Sequence, residues 1–259
     1  MRPRSRMSPF LHFPAMKGLL EARLNALPGP LRILEAGCGR DWPLKVSVPY
    51  TLTGLDLDPD ALAARTDLDR AIVGDLRTAE LPPHSFDVVY SAFVLEHVSG
   101  AEQVLERFLH WLAPGGTLIM QLPDRDSAYG FLTRITPLWL HVMVYRYVFG
   151  IRWAGTVGHG PYPTYHDKVI SQRGLREFCG RNRLSAPELY RMCTYDNYRL
   201  ARAAAFLTSM LAAGQLAWRH NNLLVILQTA RPDGAAARNH GARPARSATI
   251  PGEAQPHIA

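Results

Sequence analysis

The sequence predicts an α/β fold: a mostly parallel sheet of seven strands, wound on both faces by helices. Three observations predict it. Short apolar runs recur with little alternation, at 31–35, 52–56, 71–73, 86–91, 117–122, 184–192 and 222–229. Strands covered on both faces read this way, whereas half-exposed strands alternate. The first two runs end in acids, Glu35 and Asp56, about twenty residues apart, the distance at which such folds place a ribose acceptor. Gly37 and Gly39 follow the first run, where a missing Cβ lets the backbone turn sharply and a ligand come close.

The elements follow in order. Residues 15–27 read as an amphipathic helix, with Met16, Leu19, Leu20, Leu24 and Leu27 near one face, stopped by Pro28-Gly29-Pro30. Between Gly39 and the second strand lie only about ten residues, broken by Pro43 and Pro49. A parallel crossover usually needs a dozen or more and a helix, so a short turn is expected there. Asp58-Pro59-Asp60 suits a helix start, with Asp58 as cap and Pro59 in the first turn. Residues 101–111 read as a helix with Val104, Leu105, Phe108 and Leu112 inward. Pro114-Gly115-Gly116 then turns the chain into the fifth strand.

An insertion at 124–170 follows. Residues 129–149 are crowded with large apolar side chains and read as one or two helices broken near Pro137, apolar on more than one side. Residues 155–167 read as a Gly/Pro-rich loop. Ser171 caps a helix to Asn182, and a long Ala-rich helix is expected at 200–218. Residues 231–259 are rich in Ala, Pro and Arg without periodicity and are expected to be a disordered basic tail. The organisation is thus one domain over 1–230, with the insertion 124–170 as a cap, and a tail.

Composition narrows the function. Net charge is +7, yet no basic stretch interleaved with aromatics marks a nucleic-acid module, so no nucleic-acid partner is expected. Cys38, Cys179 and Cys193 are odd in number and far apart, which argues for a reduced cytoplasmic protein. No metal spacing is visible. The basic residues 1–6 are followed by Pro9, His12 and Pro14 rather than by an apolar segment, so no secretory signal is read. No run suits a membrane span.

Glu35-Ala36-Gly37-Cys38-Gly39, Gly54-Leu55-Asp56-Leu57-Asp58, Gly74-Asp75-Leu76, Phe86-Asp87-Val88-Val89 and Leu112-Ala113-Pro114-Gly115-Gly116-Thr117-Leu118 stand in this order. The series resembles the class I S-adenosylmethionine-dependent methyltransferases, in particular the type 11 group, over roughly a third of the chain. The resemblance implies a Rossmann-like sheet of strand order 3-2-1-4-5-7-6, the last strand antiparallel, and S-adenosylmethionine as cofactor. It implies a cofactor site built from Glu35, Gly37, Cys38, Gly39, Asp56, Leu57, Asp75, Leu76 and Ser91. Within it, Asp56 meets the ribose and Leu57 packs on adenine. Asp75 either accepts the adenine amino group or is only a turn aspartate, while the Leu76 amide donates to the ring. The Ser91 carbonyl faces the methionine amine. Cys38 lies inside this loop and reads as a small buried residue rather than a nucleophile. Many relatives carry a third glycine where this chain has Asp41; Arg40 either pairs with the cofactor carboxylate or points away.

The acceptor is read from the insertion. A large apolar wall with few polar groups suits a hydrophobic small molecule, such as a lipid, polyketide, terpenoid or quinone-like compound. Methylation on oxygen or carbon is expected over nitrogen. An oxygen acceptor needs a base, for which His159, His166 and His97 are the candidates. A histidine at position 97 more often ends a short helix and packs locally. Segment 129–153 alternatively meets a membrane surface, which would make the cytoplasmic protein peripheral, or the insertion only thickens the core or forms a dimer contact. A non-catalytic binding protein that keeps the fold is the rival reading, because of the altered glycine turn. Oligomeric state is not legible.

Overall fold

The computed structural model describes residues 10–147, 150–156, 160–194 and 198–230. The expected tail, and His159, fall outside these. The strands are β1 (Phe10–Leu11), β2 (Leu31–Ala36), β3 (Tyr50–Asp56), β4 (Arg70–Val73), β5 (Phe86–Ala92), β6 (Leu112–Pro123), β7 (Glu188–Met192) and β8 (Asn222–Gln228). The helices are α1 (Phe13–Asn25), α2 (Pro59–Ala63), α3 (Ala101–Trp111), α4 (Ala128–Ile135), α5 (Leu138–Tyr147), α6 (Gln172–Arg181) and α7 (Arg199–Leu211).

The sheet order is β1-β7-β8-β6-β5-β2-β3-β4. From β4 to β7 this is the expected seven-strand order, and β8 runs antiparallel to both β6 and β7. The short β1, which the sequence did not suggest, adds an eighth strand parallel to β7.

Alternate residues of each strand feed two cores. Leu34, Val89, Leu118 and Val225 pack under α3 and α6 with Phe108 and Phe178. Ile33, Val88, Ile119 and Leu224 pack under α1 with Met16, Leu20 and Leu24. Two covered faces explain the continuous apolar runs of the strands.

Between β2 and β3 there is no helix, only a turn and extended chain, as the two prolines and short spacing require. Asp58 caps α2, its carboxylate accepting from the Asp60 and Ala61 amides. Ser171 caps α6 by accepting from the Gly174 amide. The insertion forms two helices, α4 and α5, on either side of Pro137. Its ends are pinned together where the Arg125 amide donates to the Ile170 carbonyl at 2.9 Å. Beside this seam, buried Asp124 meets His220 Nε2 at 2.8 Å.

Several boundaries differ from expectation. Helix α1 spans Phe13–Asn25 rather than 15–27. Strand β6 begins at Leu112, so Pro114-Gly115-Gly116 is an irregularity within the strand, at a register shift against Phe86–Val88, rather than a turn before it. Strand β7 begins only at Glu188, just after Pro187, which has no N–H for a ladder. Helix α7 stops at Leu211 rather than 218. Ala213 and Gly214 take positive φ, and the chain turns back to bridge Ala217 to Ser127.

Candidate cofactor and acceptor sites

The carboxyl ends of β2, β3, β4 and β5 open into a cleft of about 700 Å³. It lies where the strand order reverses, the place at which open α/β sheets bind ligands. Gly37, Gly39, Asp56, Leu57, Asp75 and Leu76 all line it.

The two glycines differ in purpose. Both have positive φ, at 74° and 55°. A Cβ on Gly37 would sit 2.3 Å from Val94 Cγ2, so this glycine lets the loop pack on the segment after β5. A Cβ on Gly39 would meet nothing within 4 Å, so this glycine leaves the space over the loop open to a ligand.

Asp56 ties that loop in place. One carboxylate oxygen accepts from the Gly39 amide at 2.9 Å and the other from the Asp58 amide at 2.9 Å. A carboxylate has about four acceptor positions, so lone pairs remain for a pair of hydroxyls. Leu57 beside it is 66% exposed, an apolar surface turned to solvent.

Asp75 is already engaged. Arg77, which the sequence reading passed over, forms a forked ion pair with it at 2.5 to 3.0 Å and also reaches Ser99. The Asp75 carboxyl is held below its usual range by this guanidinium. The turn role is therefore present, and an adenine amino group would have to share the carboxylate. Arg40 stands exposed at the cleft with no hydrogen-bond partner among the described residues.

Glu35, Cys38 and Ser91 lie behind the cleft. Glu35 is 4% exposed and accepts from Arg65 Nη2 at 2.8 Å. Arg65 also donates to the Cys38 carbonyl and to Asp67, which makes it the clamp between the first strand, the glycine turn and the loop before β4. Burial pushes the Glu35 carboxyl up to about 7 against the opposing pull of Arg65. The Cys38 thiol is buried and pushed up to about 12 by burial, the small-residue reading rather than a reactive one. Ser91 Oγ donates to the Ala36 carbonyl at 2.9 Å, stitching β5 to β2. The wall there is made by Ala92 and Phe93 instead, Phe93 at a positive φ of 56°.

A second chamber of about 450 Å³ adjoins the cleft through shared Phe93, His97 and Tyr162. Its walls come from the insertion, with Tyr129, Thr133, His141 and Tyr145, and from Asn221 and Asn222. His97 ends a single 3₁₀ turn, as the packing reading required, yet it also stands at the junction of the two spaces. Its Nδ1 lies 2.8 Å from the Pro163 carbonyl oxygen. A carbonyl only accepts, so Nδ1 carries the proton and the neutral ring keeps its lone pair on Nε2. Burial lowers the His97 pKa.

His166 lines the chamber but not the cleft, and is 3% exposed. Its Nε2 contacts Thr133 Oγ1 at 3.2 Å while Nδ1 is buried without a partner. Burial first, then Arg134, pushes it down to about 4, so it is neutral near pH 7. Glu96, the residue before His97, is the site residue that sequence reasoning missed. It lines the chamber, its Oε2 is buried without a partner, and burial pushes its carboxyl up to about 8. Among the described residues, no three His, Cys, Asp or Glu stand together as metal ligands.

Residues 34–120 match the methyltransferase domain family. The chain is 29% identical over 110 residues to phosphoethanolamine N-methyltransferase 1 of Arabidopsis thaliana, covering 38% of this chain and 22% of that protein. It is 35% identical over 108 residues to an uncharacterized methyltransferase of Mycobacterium tuberculosis, covering 38% of this chain and 54% of that one. The chain thus spans about a fifth of the length of the plant relatives it matches. Phosphoethanolamine N-methyltransferase 2 of Haemonchus contortus has a similar fold, with a TM-score of 0.52 at 14% identity over 83% of this chain and 53% of that one. Residues 34–120, which hold the glycine turn and the strand-end acids, thus resemble a methyltransferase domain, and the fold agrees with that match. The Haemonchus contortus protein is in complex with S-adenosyl-L-methionine. The open space over Gly39 and the free lone pairs of Asp56 suit it.

Proposed function

We propose that the chain catalyses transfer of the sulfonium methyl of S-adenosylmethionine to an oxygen or carbon nucleophile on a small hydrophobic acceptor. The observation that carries this is the pair of adjoining spaces, a cofactor cleft and an acceptor chamber, with His97 in their common wall. Gly39, Asp56, Leu57, Asp75 and Leu76 would hold the cofactor, which supplies an electrophilic methyl when bound. The chain aligns the acceptor and removes its proton.

His97 suits the proton role because its Nε2 lone pair is fixed by the bond from Nδ1 to Pro163, and its lowered pKa keeps it neutral. The partnerless Glu96 Oε2 and His166 Nδ1 would bind a second polar group of the acceptor, since buried polar atoms without partners are costly. The aromatic walls would hold its apolar body. Phosphoethanolamine, on which the plant relatives are named as acting, fits less well: no arginine or lysine is among the described residues lining the chamber.

Calorimetric titration with S-adenosylmethionine, followed by transfer of labelled methyl to a panel of phenols, quinols and hydroxylated polyketides with phosphoethanolamine as control, tests the reading. Cofactor binding with label in an apolar hydroxyl acceptor is expected. No binding at millimolar cofactor, or label only in phosphoethanolamine, overturns it.

A further inference from the structure

We infer that α5, with α4 beside it, docks the protein on an anionic membrane surface. Helix α5 has the sequence Leu-Trp-Leu-His-Val-Met-Val-Tyr-Arg-Tyr and buries none of its 10 residues. Six of them, Leu140 to Val142 and Val144 to Arg146, are half-buried, and an apolar helix whose other side is left open is unfinished in water. Its two sides are used differently. His141 and Tyr145, four apart, line the acceptor chamber. Trp139, Met143 and Tyr147, also at four-residue spacing and about half a turn round the helix, point to solvent, with Trp139 62% and Tyr147 79% exposed. Helix α7 packs on α4 and exposes Leu200, Leu207, Met210 and Leu211.

Charge selects the occupant. Segments 127–166 and 198–220 contain Arg134, Arg146, Arg152, Arg199, Arg202 and Arg219 and not one Asp or Glu. Exposed Trp and Tyr with arginines and no acids suit the headgroup region of an anionic bilayer, to which basic side chains near the surface are drawn. Two copies of this chain would set like charges against each other, which argues against a dimer on the same face. No helix among the described residues is long and apolar enough to cross a membrane, so the contact is with the surface. If the acceptor reading also holds, α5 stands between bilayer and chamber, and a lipid-soluble acceptor would enter past it.

Flotation of the full chain with phosphatidylcholine vesicles, with and without phosphatidylglycerol, tests this. Trp139→Glu and Met143→Glu are the variants, with S-adenosylmethionine titration and thermal melting as controls. Binding to the anionic vesicles is expected, weakened by salt and lost several-fold in both variants while melting and cofactor titration stay as in the parent. Vesicle binding unchanged in the variants, no binding by the parent, or a parent dimer that the variants convert to monomer overturns it. Failure of the cofactor titration alone would count against the methyl-transfer reading and leave this one standing.

Discussion

Arg65 donates from Nη2 to Glu35 Oε2 at 2.8 Å, joining two buried side chains 30 positions apart in the sequence. The acid that ends the first strand is therefore held inside the protein, and its first duty is to the glycine turn through Arg65 and the Cys38 carbonyl. Removing one partner of a buried pair strands the other, at about 3–5 kcal/mol. Arg65→Met should destabilise by that order in urea unfolding, and Arg65→Met with Glu35→Gln should recover much of it. Equal stability of the single and double variants would show that the pair is not coupled.

Asp75 and Arg77 form the competing contact at the adenine end. If Asp75 accepts the adenine amino group, Asp75→Asn keeps an acceptor oxygen and should weaken cofactor binding less than Asp75→Leu, the latter by on the order of tenfold for one lost polar partner. Arg77→Met frees the carboxylate and should leave affinity unchanged or raise it. A fall in affinity for Arg77→Met, measured by the same titration, would move the recognition role from Asp75 to its partner.

Glu96 makes stability depend on pH. The unfolded chain releases this proton near 4.5, whereas burial keeps it bound in the folded chain until about 8. Between those values the folded state holds more protons, so stability declines as pH rises, by up to about 1.4 kcal/mol per pH unit for one proton. Glu35, raised to about 7, adds the same sign over the lower part of that window. Glu96→Gln should flatten the decline most between pH 7 and 8, where the contribution of Glu35 fades as it ionises. Urea midpoints across that range read it directly, and an unaltered slope in the variant would assign the decline elsewhere.

Much of the fold was legible because its signals are local. Apolar runs, the prolines at 43 and 49 and the caps at Asp58 and Ser171 each act within a few residues, and the structure carries them all. Ends set by distant partners were not legible. Helix α7 stops early because Ala217 must meet Ser127, and β7 starts late at Pro187. The site divides the same way. Gly37, Gly39, Asp56, Leu57, Asp75 and Leu76 line the cleft because turns at strand ends place them there. Glu35 and Ser91 point into the sheet, a direction fixed by Arg65 and Ala36, neither of which has a marked spacing from its partner. Glu96 gained its setting only when residues 160–166 folded over it, with the Tyr165 amide on its carbonyl at 2.7 Å.

His97 is the last residue to test, because two roles fit its place. As a packing residue it ends the 3₁₀ turn, holds the Pro163 carbonyl and meets Tyr162 edge-on at 5.6 Å. As a base it would act through Nε2, which lies 3.8 Å from Glu96 Oε1, on a ring at the junction of cleft and chamber. A side chain that keeps the Nδ1 bond and lacks the base separates them. Asn can still donate an N–H toward Pro163, so His97→Asn should hold the loop while removing the basic nitrogen. For an oxygen acceptor the turnover number should then fall by about 10²–10⁴, the usual worth of a positioned base, with S-adenosylmethionine affinity and melting little changed. The parent should lose activity as pH falls through the histidine's pKa, which burial lowers, and the variant should lack that limb. A variant that melts lower and binds cofactor weakly, yet turns over normally when saturated, would return His97 to packing alone. Normal turnover with normal stability would remove both roles.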